Sequence, residues 1–231
     1  MLFLVGLLYA WMRSVRMREA VIMKPGRKQF WKKQLLIPHI LLAAVMIGMF
    51  RFTNFWDFII YFVVTGGVVL FTNIVQFDGK VKRVLAVTAV QAVEIIVISY
   101  VVSLPFTLQF QSMVSEVALA QNHSRPYQYW LIWGLPVIGT VLFFWCVKRE
   151  GAKKADAFGV LLGISALGLI VIPEIVYVRD IYEKEYARSN TMFKLTYQAF
   201  TMFGILFGYA LIRLWMEKRH VIRKILTSVV F

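Results

Sequence analysis

Residues 84–104 read VLAVTAVQAVEIIVISYVVSL. Crossing ~30 Å of hydrocarbon at 1.5 Å per residue takes about 20 apolar residues. This run is therefore long enough to span a bilayer, and Lys80, Lys82 and Arg83 bound it on one side. A water-facing helix of the same length would carry a charged face, whereas here Glu94 is the single charged residue. Working outward, comparable apolar runs fall at about 1–12, 34–50, 58–75, 127–147, 157–173 and 191–215. The sequence thus predicts an all-α, polytopic transmembrane helix bundle of about seven membrane-crossing segments. The first run is too short to cross unless its beginning lies upstream, and residues 225–231 open another apolar run. The first and last segments are accordingly expected to be truncated, with 1–231 forming a single transmembrane helical domain that is a fragment of a longer protein.

Composition agrees. Of 231 residues 60% are hydrophobic and 16% charged, with mean hydropathy +0.69, more apolar side chain than a soluble domain of this size can cover. The formal net charge is +14, but the basic residues fall in short clusters between apolar runs. That arrangement is one of topology signals and excludes a nucleic-acid module. The lone Cys146 excludes an intrachain disulfide and any Cys-based metal or redox motif.

Most of the 26 basic residues lie in alternate loops: Arg13 to Lys33, then Lys80 to Arg83, Lys148 to Lys154, and a tail from Lys218 to Lys224. By the excess of Lys and Arg on the cytoplasmic side, these basic loops are expected to be cytoplasmic in a multi-pass protein of the cell membrane. Trp11, Trp31, Trp56, Trp130, Trp145 and Trp215 sit near segment ends, where an amphipathic ring suits the headgroup layer. The outer connections are then about 51–57, 105–126 and 174–190. Residues 1–12 lack the basic start and small-residue cleavage site of a signal peptide, and no internal repeat is visible.

The densest polar stretch is EIVYVRDIYEKEYARSNTMFKLTYQ, residues 174–198. Ser189 or Asn190 is placed to cap the helix that follows. That helix would open with free N–H groups and a partial positive charge at the outer interface, flanked by Arg188 and Lys194. Such an arrangement suits an anion, above all a phosphate at headgroup depth. Asn190, Lys194, Tyr197 and Thr201 share one helical face with Gln198 beside them, and polar side chains on an embedded helix should face protein or a wet cavity. The structural alternative stands beside this: Lys194 can snorkel to the interface, Arg179 can pair with Asp180, and residues 182–186 can form a solvated loop.

Asp57 falls at a helix N-terminus, where the helix dipole favours a carboxylate, and Asn54 can cap the same turn. Glu94 lies near the middle of its span, which makes it a functional candidate by cost alone. Asn73, Thr65 or His39 can pair with it, or it can be protonated and hydrogen-bonded within the bundle. Pro38 is expected to bend the second segment. The histidines His39, His123 and His220 show no ligand spacing, so no zinc site is indicated. Asn122-His123-Ser124 fits the glycosylation sequon, a weak three-residue pattern.

The stretches EIVYVRDIY (174–182) and RSNTMFKLTYQAFTMFGI (188–205) resemble the terminal signature of the Chlor_Arch_YYY family of bacterial and archaeal membrane proteins, commonly grouped with GT-C type glycosyltransferases. FTNFWDFIIYF (52–62), LPFTLQFQ (104–111) and PYQYWLIWGL (126–135) agree with it, so the resemblance covers most of the chain. One departure is Ser189, where many relatives carry Met or Ala. The resemblance implies a membrane glycosyltransferase fragment that uses a polyprenyl-phosphate-linked sugar at the extracytoplasmic face, with this chain as the GT-C-like C-terminal part. Relatives of this type use an acid in their first outer loop, so the catalytic residue is unknown here and expected ahead of residue 1. Arg179, Arg188, Asn190, Lys194, Tyr197 and Gln198 would then bind the lipid phosphate and substrate. Asp57, Glu174 and Asp180 would bind a possible divalent metal ion or orient the acceptor; no other cofactor is implied. The partners are the lipid bilayer and the lipid-linked sugar, with no nucleic acid. Two other readings remain open: a transporter or flippase with Glu94 as an intramembrane proton or ion site, and a noncatalytic membrane scaffold.

Overall fold

The computed structural model describes residues 2–14, 27–78, 80–110, 116–151, 154–179 and 186–215. Arg16, Arg18 and Lys24, Lys153, Asp180, Lys184, the basic tail at 218–224 and the run at 225–231 lie outside the described residues. The chain forms two compact units, residues 1–110 and 111–231.

The first unit contains α1 (Leu2–Ser14), α2 (Arg27–Gln34), α3 (Pro38–Thr53), α4 (Phe55–Gln76) and α5 (Val81–Thr107). α3 packs most extensively on α5 and also on α4, while α1 lies against α3 and α4. Gly48 explains how closely α3 and α5 approach. A Cβ there would stand 2.7 Å from the Ser99 carbonyl oxygen and 2.8 Å from Val102 Cβ, and small residues at such crossings let helix backbones pack where lipid offers no hydrophobic drive. One extended residue, Asn54, joins α3 to α4: its N–H donates to the Phe50 carbonyl at 2.7 Å and its carbonyl accepts the Asp57 N–H at 2.9 Å. Its side chain makes no capping bond, so the backbone performs the role expected of the Asn54 amide.

The second unit contains β1 (Val117–Leu119), α6 (Pro126–Glu150), α7 (Lys154–Ile175), β2 (Val176–Val178) and α8 (Ser189–Trp215). α8 packs along α7 and more lightly on α6; Phe143, Val147, Leu206 and Ala210 form a shared core. Gly163 fits under Thr140 and Phe144, whose side chains would stand 2.9 Å from an added Cβ. The two strands pair antiparallel, with Val117 opposite Val178 and Leu119 opposite Val176. This ribbon ties together the stretches expected as plain loops at 105–126 and 174–190.

Five helices, Phe55–Gln76, Val81–Thr107, Pro126–Arg149, Ala155–Ile175 and Ser189–Arg213, are long and apolar enough to cross a membrane; Leu2–Ser14 and Pro38–Thr53 are shorter apolar helices. All seven apolar runs are thus helical, and the chain is an all-α, multi-pass membrane helix bundle. Helices suit hydrocarbon because they satisfy every backbone group within the segment. The second run departs from expectation. Pro38 does not bend a helix but starts one, at the first position of α3, where a missing N–H costs nothing. The chain breaks ahead of it at 35–37, and Leu36 takes a left-handed φ of 54°.

Candidate functional site

The polar residues of the second unit gather at the end of its helices that carries the β ribbon, around Glu174 in the last turn of α7. A carboxylate there faces the negative end of the helix dipole, so it requires compensation, and it receives it. The Ser124 hydroxyl donates to Oε1 at 2.6 Å and the Ser124 N–H to Oε2 at 2.9 Å. Arg188 Nη1 stands 2.7 Å from Oε2, with both side chains largely buried.

The same groups close the helix end. The last carbonyls of an α-helix have no partner within it. Here Pro173 O accepts from Arg188 at 3.2 Å, Glu174 O from His123 Nδ1 at 2.9 Å, and Ile175 O from the Ala120 N–H at 2.9 Å. Since a carbonyl only accepts, His123 carries its hydrogen on Nδ1. Arg188 Nη2 also donates to Ser124 Oγ at 3.1 Å, which links α8, α7 and the segment before α6 in one network.

Arg179 forms an ion pair with Glu116, and its N–H donates to the Glu116 carbonyl at 2.8 Å. The pair extends the ribbon by one cross-strand step. α8 then starts against the ribbon: the Val178 N–H donates to Thr191 Oγ1 at 3.0 Å. The Ser189 hydroxyl donates to the Tyr186 carbonyl at 2.9 Å instead of capping the helix, and Met192 N–H bonds to the Arg188 carbonyl.

One face of α8 remains uncovered within its unit. Tyr197 is 61% exposed and Phe193 and Phe200 are similarly open. Asn190 and Lys194 are partly buried on the same side. The Lys194 ammonium lies 5.9 Å from the centre of the Phe193 ring, and among the described residues it has no carboxylate partner. Gln198, beside them on the helix, is buried. Arg179 and Arg188 are already matched by acids, so Lys194 carries the unmatched charge of this group.

The family described as uncharacterized membrane protein (DUF2298) matches residues 1–149 and 135–203. The chain belongs to this family. No curated protein and no solved structure matches it. In this DUF2298 chain the structure brings Glu174 and Arg188 together and leaves Asp57 and Glu94 in the first unit. Asp57 sits in the first turn of α4. Glu94, at the centre of α5, accepts the Leu36 N–H at 2.8 Å through Oε1; its observed partner is thus a backbone amide at the α2–α3 break, not Asn73, Thr65 or His39.

Among the described residues no group of three or more His, Cys, Asp or Glu side chains is placed to hold a metal ion. Glu174 does not fit a divalent ion, since a guanidinium already occupies its Oε2. Several participants lay outside the sequence reading. Ser124 figured only in a sequon, His123 there and among histidines without ligand spacing, and Glu116 not at all. Asp156 was also missed: it is fully buried, accepts from the Tyr209 hydroxyl at 2.6 Å and stands 3.3 Å from Arg213 Nε. Its sequence signal was an acid in the first turn of an apolar helix, facing a single Arg near the end of another.

Proposed function

We propose that the ribbon end of the second unit receives the phosphate of a polyprenyl-phosphate-linked sugar at the extracytoplasmic face, as part of a GT-C type glycosyltransferase. The observation that carries this reading is Lys194: a cation without a carboxylate partner among the described residues, on an uncovered helix face one turn from Asn190 and beside Tyr197. An unmatched cation at such a place lowers its energy by taking an anion from the headgroup layer. Asn190 and the first turn of α8 add donors, Tyr197 and Gln198 border the substrate, and Arg179 and Arg188 raise the local potential while their own acids hold them. Glu174 serves as the brace for Arg188, and none of the described carboxylates is assigned as the reactive acid.

The purified full chain in nanodiscs, titrated with a polyprenyl monophosphate and with the matching polyprenol, tests this. A charge-assisted hydrogen bond is worth about 1.5–3 kcal/mol, so Lys194→Gln should weaken binding of the phosphate roughly tenfold or more and leave the polyprenol unaffected. Equal affinity of the two forms for the phosphate would remove the basis of the reading.

A further inference from the structure

The first unit holds a polar group that the phosphate reading does not use. Glu94 is thirteen residues from either end of α5, about 20 Å from each at 1.5 Å per residue. Its Oε1 accepts the Leu36 N–H, while its Oε2 is buried without a partner among the described residues. No basic side chain among the described residues pairs with it.

One turn earlier on α5, Gln91 fixes the orientation of a chain of amides. Its Nε2 donates to the Gln34 carbonyl at 3.0 Å, so its Oε1 faces Asn73, whose Nδ2 donates to it at 2.9 Å and to Thr88 Oγ1 at 3.0 Å. Because a backbone carbonyl only accepts, the assignment propagates along the chain. Among the described residues Asn73 Oδ1 is then left without a donor, in a residue with no exposed surface. The hydroxyl of Thr72, its neighbour on α4, is likewise buried and has no partner among the described residues. The remedy these groups call for is positive. A water would satisfy the orphaned oxygens but would leave a carboxylate uncompensated at mid-span, where charge is most expensive. Interrupted helices beside such groups are a recurrent way to hold small ions within membranes.

We infer that the α2–α3 break is a binding site for an alkali cation, held by Glu94 Oε2 and bordered one turn away by the amide chain of Gln91 and Asn73. The titratable and charged groups on the elements packed around it are few. α3 contributes His39, whose Nδ1 is buried without a partner among the described residues. α2 contributes the exposed Lys32 and Lys33. α4 carries acids only near its two ends, Asp57 in its first turn and Asp78 just past its last.

The test is thermal unfolding of the purified full chain in detergent, with NaCl exchanged for choline chloride at constant ionic strength. Saturating Na+ raises the melting temperature of the natural chain by about 3–6 °C. Glu94→Gln keeps the acceptor for Leu36 and should abolish the dependence. Asn73→Leu, which keeps the branched shape but removes the amide oxygen, should weaken the dependence by tenfold or more in concentration. The inference is overturned if the natural chain shows no dependence on Na+, or if Glu94→Gln shows the same one.

Discussion

Two carboxylates in membrane-embedded helices, Glu94 and Glu174, meet opposite treatment. Glu174 is fully provided for: two donors from Ser124 and a guanidinium from Arg188. Glu94 has one backbone N–H and an orphaned second oxygen. The difference follows from position. Glu174 ends a helix, where free carbonyls of its own turn attract cations and donors that the carboxylate then shares. Glu94 sits in the middle of a helix whose own backbone is satisfied, so its one partner is the amide that the α2–α3 break sets free. A carboxylate at a helix end is built into a network; one at mid-helix is left with capacity to bind.

The comparison can be broken or sharpened experimentally. The largest effect is expected at Asp156, the most enclosed acid among the described residues of the second unit. Asp156→Ala removes the carboxylate that faces Arg213 and accepts from Tyr209, and removing one partner of a buried pair costs about 3–5 kcal/mol. Denaturant unfolding in mixed micelles should show a loss of that size. Next comes Arg188→Ala, which turns Glu174 into a carboxylate with the neutral donors of Ser124 alone. A loss of about 2–3 kcal/mol is expected. Combined with Glu174→Gln, the double variant should lose clearly less than the two single losses together; strict additivity would mean that the pair is not a unit. The smallest effect is expected for Glu94→Gln in choline chloride. The amide oxygen still accepts from Leu36 and a charge is removed from mid-membrane, so stability should change by less than about 1 kcal/mol. A loss as large as that of Arg188→Ala would mean that Glu94 is paired as firmly as Glu174, and the contrast between the two would disappear.

Much of the architecture was legible in the residues. Each of the seven apolar runs became a helix, the second only from Pro38 onward, and the helix ends lie a few residues from those of the runs. Within the stretch at 174–198, Glu174, Arg179 and Arg188 all make polar contacts. The partners were not legible. Arg179 meets Glu116, 63 residues away, and Glu174 meets Ser124, 50 residues away; no local spacing encodes either. Pro38 was misread for a related reason. A proline in an apolar run is compatible with a kink or with a fresh start, and the choice fell to Gln91 and Glu94, whose side chains take up the Gln34 carbonyl and the Leu36 N–H at the gap.

What the residues determined alone is the set of long apolar helices and their immersion in lipid. Length and hydropathy are properties of a continuous segment, and hydrocarbon enforces internal hydrogen bonding on any segment that crosses it. What the tertiary structure decided is which charges remain available. Pairing energy depends on separations of a few ångströms between segments far apart in the chain. Only once the helices and the ribbon were packed could Arg188 be matched while Lys194 and Glu94, among the described residues, were left open.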